Sequence, residues 1–277
     1  MRPARLSWAA ASARHATLLA TSLFMLVPFA WMLSLSVKPP GEIFTATLAL
    51  LPSSWSFANY GRALSESSIP RFLLNGVVVC GSILVLQVVI CAPAAYALAK
   101  LRLPGRDGLF AVVLIALLVP HQVLALPLFV LCHWLGILDS YAALILPFVV
   151  SPFGIFLFRQ FFKTIPDDVV HAARLDGLSE GGIVFTIMLP MALPAVIAFG
   201  TISIAAHWND LFWPLIAVNS EQLMPPPLGV MAFRNDERGS DFGPLMAGAT
   251  VIVAPLVLVF LAAQRWFIDG LTMGATK

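Results

Sequence analysis

Between Phe72 and Ala99 the chain runs for 28 residues without an Asp, Glu, Lys or Arg. About 20 apolar residues in a helix already cross the roughly 30 Å hydrocarbon core of a bilayer. Five further stretches meet the same test: Thr17 to Ser36, Gly108 to about His133, Ser140 to Phe158, Gly181 to Asn209 and Phe242 to Gln264. Transmembrane strands would instead need alternating segments of about ten residues, and these runs are apolar on all sides. The expected fold is all-α, a polytopic membrane protein with six transmembrane helices. Only 11% of the 277 residues are charged and 60% are hydrophobic, against about 25% and 45–50% in soluble domains. A soluble enzyme, a disordered tail and a disulfide scaffold are excluded. With a net charge of +2 and few basic residues, nothing provides the electrostatic footprint of a nucleic-acid binder.

Lys and Arg set the orientation. With the N-terminus inside, 11 of the 16 basic residues face the cytoplasm, including three in the short Lys100 to Asp107 turn. The turn at Leu135 to Leu138, on the other side, has none, so both termini are expected in the cytoplasm. Arg2, Arg5 and Arg14 ahead of the first apolar run resemble a signal peptide, but the run is long for one and no small-residue cleavage site follows, so a retained first span is expected. Cys80 and Cys91 are eleven residues apart, hence about 16 Å along a helix, beyond the roughly 7 Å that a disulfide allows. The five histidines show no metal-ligand spacing.

The outer segment from Val37 to Arg71, with Trp55, Phe57 and Tyr60, reads as an ordered loop with aromatic anchors. In a second outer segment, Leu211 to Asp241, the tract Pro225-Pro226-Pro227 is expected to forbid helix and to hold the loop out as a contact surface. On the cytoplasmic side, Pro166 suits a first helical position, Asp167 and Asp168 a helix N-terminus, and Gly177 the residue past its end. That predicts a helix of about ten residues outside the membrane, with Val169, Ala172, Ala173 and Asp176 on one face. Ser179 then caps a second helix that continues into the fifth span. Gly177-Leu178-Ser179-Glu180-Gly181 also matches the G-x-S-x-G elbow of hydrolases. That motif needs a preceding strand and a later acid and histidine; here a helix is expected before it, no α/β sheet is available, and the only later histidine, His207, is expected near the opposite membrane face. No lysine stands in a phosphate-binding G-x4-G-K-[ST] context, so energy must come from another polypeptide.

His171-Ala172-Ala173, Gly177, Ile187 and Leu189-Pro190 resemble the EAA loop of ABC importer permeases, EAA-x3-G-x9-I-x-LP. Arg174 to Gly177, Trp208-Asn209-Asp210 with Trp213-Pro214, and the stretch from Gln264-Arg265 to Gly274-Ala275 are similar more narrowly to carbohydrate-uptake permeases of the MalG-like, binding-protein-dependent type I family. The resemblance implies a first helix and outer loop at residues 1–71, a permease core at 72–264 with its coupling loop at 165–190, and a cytoplasmic tail at 265–277. It implies a subunit of a bacterial cell-membrane importer that moves a sugar or related polar solute by alternating access. Its partners would be a MalF-like second permease, a cytoplasmic ATPase dimer that binds ATP and Mg, an extracytoplasmic solute-binding protein and membrane lipid; no cofactor resides in this chain. The ATPase-coupling residues it assigns are Asp168, His171, Ala172, Ala173, Asp176, Gly177, Leu189 and Pro190. One departure stands out: the family's Glu is His171 here, so docking falls to Asp168 or to the packing of Ala172 and Ala173.

Polar groups are costly in apolar spans and are kept where they face a cavity or a neighbouring helix. Asn75, Gln87, His121, Gln122, Asn209 and Asp210 are the candidates for the solute pathway, and Pro120, Pro127, Pro190 and Pro194 are expected to kink their helices and open a passage. None of the six spans carries an Asp, Glu, Lys or Arg as an ion-coupling group, which disfavours an ion-coupled secondary transporter. Permeases for glycerol-phosphate-type or other non-sugar solutes stay open.

Overall fold

The computed structural model describes residues 8–43, 49–233 and 242–272, the last eight by backbone alone. The described residues contain no strand. The chain divides into two compact units, Met1–Ser67 with Phe233–Val251, and Ser68–Ala232 with Ile252–Lys277.

In the first unit, α1 (Trp8–Ser36) is followed by the short helix α2 (Ala58–Ser65). Asn59, 1% exposed, donates from Nδ2 to the carbonyls of Ser36 (3.1 Å) and Lys38 (2.8 Å). It thereby satisfies acceptors that the end of a helix leaves open. Tyr60 shares a 2.9 Å hydrogen bond with Ser36, and buried Lys38 donates to the Ala49 carbonyl at 2.5 Å. In the described part of the loop Tyr60 is an internal brace while Trp55 and Phe57 stay exposed.

The second unit is built around α3 (Ile69–Lys100), one unbroken apolar helix. The spans after it are interrupted. The third consists of α4 (Arg106–Leu118) and the segment His121–Trp134, whose α-helical part is α5 (Ala125–Trp134), and the two pieces meet at 93°. The fourth comprises α6 (Tyr141–Ile145) with a 3-10 turn to Phe148, then α7 (Pro152–Phe162), bent by 42°. After α8 (Asp167–Leu175), the fifth begins as α9 (Glu180–Ile183), passes through a π-helical stretch Val184–Met188 and α10 (Leu189–Met191), and turns by 85° into α11 (Leu193–Trp208). Then come α12 (Phe212–Ala217), α13 (Pro226–Phe233) and α14 (Phe242–Thr272). Among the described residues three helices are long and apolar enough to cross a membrane, or up to six if each bent pair counts as one span.

Proline stands at each break. It lacks an N–H, and its ring disfavours the helical region for the residue before it. Val119, before Pro120, and Ser151, before Pro152, are extended; in the fifth span Leu189, before Pro190, stays helical and Ala192, two residues ahead of Pro194, leaves the helical region. The kink expected at Pro120 is a break: the span read from Gly108 to about His133 is two pieces at nearly a right angle. Pro127 makes no kink, because it sits in the first turn of α5, where the N–H is not needed.

The proline tract is also corrected. Pro225 and Pro226 are buried, and Pro226 and Pro227 open α13, because proline suits the first helical turn. Gly76 makes room for it: a Cβ there would stand 2.8 Å from the Pro226 ring and 3.0 Å from Trp208. The charged tract Arg234 to Arg238 and the Gly274-Ala275 ending lie outside the described residues.

Between α7 and α11 the helices also approach closely. A Cβ on Gly154 would stand 2.9 Å from the Phe199 ring, and Phe199 is 1% exposed, so it has nowhere to go. Gly154→Ala is expected to lose about 1–3 kcal/mol by overpacking. A thermal-unfolding scan should show this as a lowered midpoint, with Gly81→Ala, where nothing lies within 4 Å, as the unmoved control.

Candidate functional sites: a docking helix and a polar cavity

Two arrangements in the second unit carry chemistry. The first is at the Lys100 end of α3, where α8 packs. Pro166 precedes α8 as its N-cap rather than occupying its first turn. Gly177 follows at φ 83°, a left-handed conformation that glycine adopts without strain. Val170 and Ala173 are buried, joining a core that includes Tyr96, Phe158, Phe162, Ile165, Ile183 and Met188. Asp168, His171, Ala172, Leu175 and Asp176 are exposed, Leu175 to 89%. The stripe expected from Val169, Ala172, Ala173 and Asp176 is thus split: Ala173 holds the helix to its own chain, while Ala172 and Asp176 face outward. Leu189 packs half-buried on the core and Pro190 is exposed beside the 85° break, so both shape the fifth span.

Charged groups fasten the same region. Lys100, with its side chain 6% exposed, donates to Asp167 Oδ1 and to the Ile165 carbonyl, both at 2.5 Å. That hydrogen bond and charge hold the Asp167 carboxyl below the usual carboxylate range. Glu180 accepts from Arg174 Nε at 2.8 Å and Nη2 at 3.2 Å and from the Tyr96 hydroxyl at 2.5 Å. The pair pushes the Arg174 guanidinium above its ordinary range, the hydrogen bond to Glu180 being the main cause. One carboxylate therefore ties α3, the end of α8 and the start of α9 together. Ser179 caps α9, its hydroxyl oxygen accepting from Gly182 N at 3.2 Å, which assigns the G-x-S-x-G match to a helix start.

The second arrangement is a cavity of about 630 Å³ at the breaks of the third and fourth spans and the end of α11. It brings together Gln87, His121, Gln122, Asn209 and Asp210, five of the six residues expected along a solute path, with His207, Phe148 and Phe212. Asn75 does not join them. It is fully buried, donates to the carbonyls of Gln222 and Met224 at 2.9 Å each, and accepts from the Tyr141 hydroxyl at 2.6 Å. Gln87 Oε1 accepts from the Ser203 hydroxyl at 2.6 Å, and Nε2 donates to the Phe148 carbonyl at 2.8 Å. Asp210 Oδ1 accepts from the amides of Phe212 and Trp213 at 3.0 and 3.3 Å, capping α12. His207, absent from the expected set, packs on Phe148 with ring centroids 5.1 Å apart. Cys80, Cys91 and Cys132 are free and buried. No three metal-ligating groups cluster among the described residues.

The sequence profile of binding-protein-dependent transport system inner membrane components matches residues 88–272, which contain both α8 and the cavity-lining ends of α11 and α12. The chain belongs to this family. It is a permease subunit of an ABC importer and not itself an enzyme, ATP being hydrolysed by a separate subunit. Among relatives of this permease are the arabinooligosaccharide transport permease AraQ of Bacillus subtilis, 36% identical over 92% of each chain, and the diacetylchitobiose uptake permease NgcG of Streptomyces coelicolor, 34% identical over 96% of this chain and 89% of that one. The sn-glycerol-3-phosphate transport permease UgpE of Rhizobium meliloti is 31% identical over 93% and 94% of the two chains. A solved bacterial ABC transporter for the acidic polysaccharide alginate has the same fold, with a TM-score of 0.83 at 22% identity over 94% of this permease and 98% of that chain.

Proposed function

We propose that this permease forms one half of the membrane channel of a sugar importer in the bacterial cell membrane, with both termini in the cytoplasm. A MalF-like second permease completes the channel, a cytoplasmic ATPase dimer holds ATP and Mg, and an extracytoplasmic binding protein delivers the solute. The exposed face of α8, with Asp168, His171, Ala172 and Asp176, docks on the ATPase. His121, Gln122 and Asn209 face the solute, with Gln87 in the wall behind them, bonded to Ser203 and Phe148. The observation that carries this reading is the placement of the docking helix and the cavity on one run of chain: α8 leads through Glu180 and α9 into α11, whose far end lines the cavity. A push on α8 would thus reach the cavity wall without leaving the covalent chain. Sugar relatives support the solute class.

In proteoliposomes holding the assembled importer, ATP turnover should rise several-fold on adding a carbohydrate-loaded binding protein. Stimulation restricted to amino-acid or metal-ion loads would overturn the sugar assignment.

A further inference from the structure

The cavity has an electrical character that narrows the solute further. Neither Lys nor Arg lines it, and Asp210 brings a carboxylate, with no ion pair to Asp210 among the described residues. Two histidines, His121 and His207, line it as well. Gln87 is engaged within the protein: its amide nitrogen donates to the Phe148 carbonyl at 2.8 Å and lies 3.5 Å from His207 Nε2, and its amide oxygen accepts from the Ser203 hydroxyl at 2.6 Å. What is left for a solute is the amide groups of Gln122 and Asn209, the His121 imidazole and the rings of Phe148 and Phe212.

Resting on the sugar-importer reading above, we infer that this cavity takes an uncharged polyhydroxylated solute and disfavours one that carries phosphate or carboxylate. Amide groups donate to and accept from hydroxyls in equal measure, and aromatic faces receive the C–H side of a sugar ring. An anion would leave water with no Lys or Arg to receive it and would meet the Asp210 carboxylate. The permease would then differ in charge preference from its glycerol-phosphate relatives, although it shares their fold.

The assembled importer in nanodiscs, without its binding protein, tests this by equilibrium dialysis with labelled trehalose and labelled glycerol 3-phosphate at millimolar concentration. Trehalose should bind at least tenfold more tightly. Asp210→Asn, which keeps an oxygen for the Phe212 and Trp213 amides, should narrow the gap at least threefold. Equal or tighter binding of glycerol 3-phosphate, or a gap unmoved by Asp210→Asn, overturns the inference and leaves the sugar reading standing. Tight glycerol 3-phosphate binding lost in His121→Gln would assign the cavity to anions and overturn it too. Binding of neither compound by an importer that hydrolyses ATP would fell the sugar reading and the inference together.

Discussion

Leu175→Asp should separate the permease from its ATPase. Leu175 is 89% exposed on a helix whose inward side chains, Val170 and Ala173, already hold it to its own core. One exposed leucine is ordinary on a protein surface; this one bears on docking because it stands beside Ala172 and Asp176 on the outward side of α8 proposed to meet the ATPase, and aspartate there would bury an unpaired charge in the joint. The expected result is at least a tenfold loss of ATPase recovered with the affinity-tagged permease, equivalent to about 1.4 kcal/mol or more, with membrane-inserted permease unchanged. Ala173→Glu makes the contrast. A carboxylate forced among Phe158, Phe162 and Met188 should reduce the amount of folded permease itself. If the Leu175→Asp complex purified with normal stoichiometry, the docking face would have to be placed elsewhere.

Glu180→Ala should leave docking intact and break transmission. The carboxylate joins Arg174 at the end of α8 and Tyr96 on α3 to the first residue of α9, so its removal frees α8 to move without carrying the fifth span. An ion pair as exposed as this one is worth little in stability, and the unfolding midpoint should barely shift. Transport and binding-protein-stimulated ATP turnover should nevertheless fall at least tenfold, with basal hydrolysis and ATPase co-purification retained. Tyr96→Phe, which removes one of the partners, should give a smaller fall. Full transport by Glu180→Ala would mean that the push travels by another contact.

The six spans were legible because charge is excluded from hydrocarbon, and the gaps between charges mark the span ends to within a few residues. Their breaks were only half legible. Pro120, Pro190 and Pro194 pointed to interruption, but nothing local distinguishes the 93° turn at Pro120 from Pro93 inside the unbroken α3. The difference lies in which neighbours receive the freed backbone groups. The docking helix could be read from Pro166, its acidic start and Gly177, yet which of Ala172 and Ala173 faces inward depends on the pose of α8 against α7. The Glu180 clamp draws on Tyr96, 84 residues away, a pairing that spacing cannot reveal. In the cavity, counting costly polar groups found five of six members. It misplaced Asn75 because a buried amide fully occupied by backbone carbonyls looks the same in sequence as one facing a solute. It missed His207, which joins the cavity by packing on Phe148 of the fourth span, a contact that spacing does not reveal.

One consequence of the unbroken α3 remains. Its 32 residues make a rod of about 48 Å, well over the roughly 30 Å of hydrocarbon. The Lys100 end therefore either stands proud of the lipid or is brought level by tilting. Lys100 and Tyr96, which moor α8 and α9, sit at that end. If α8 docks on the ATPase as proposed, the height at which the two meet is gauged by the thickness of the bilayer, with α3 serving as the measuring stick.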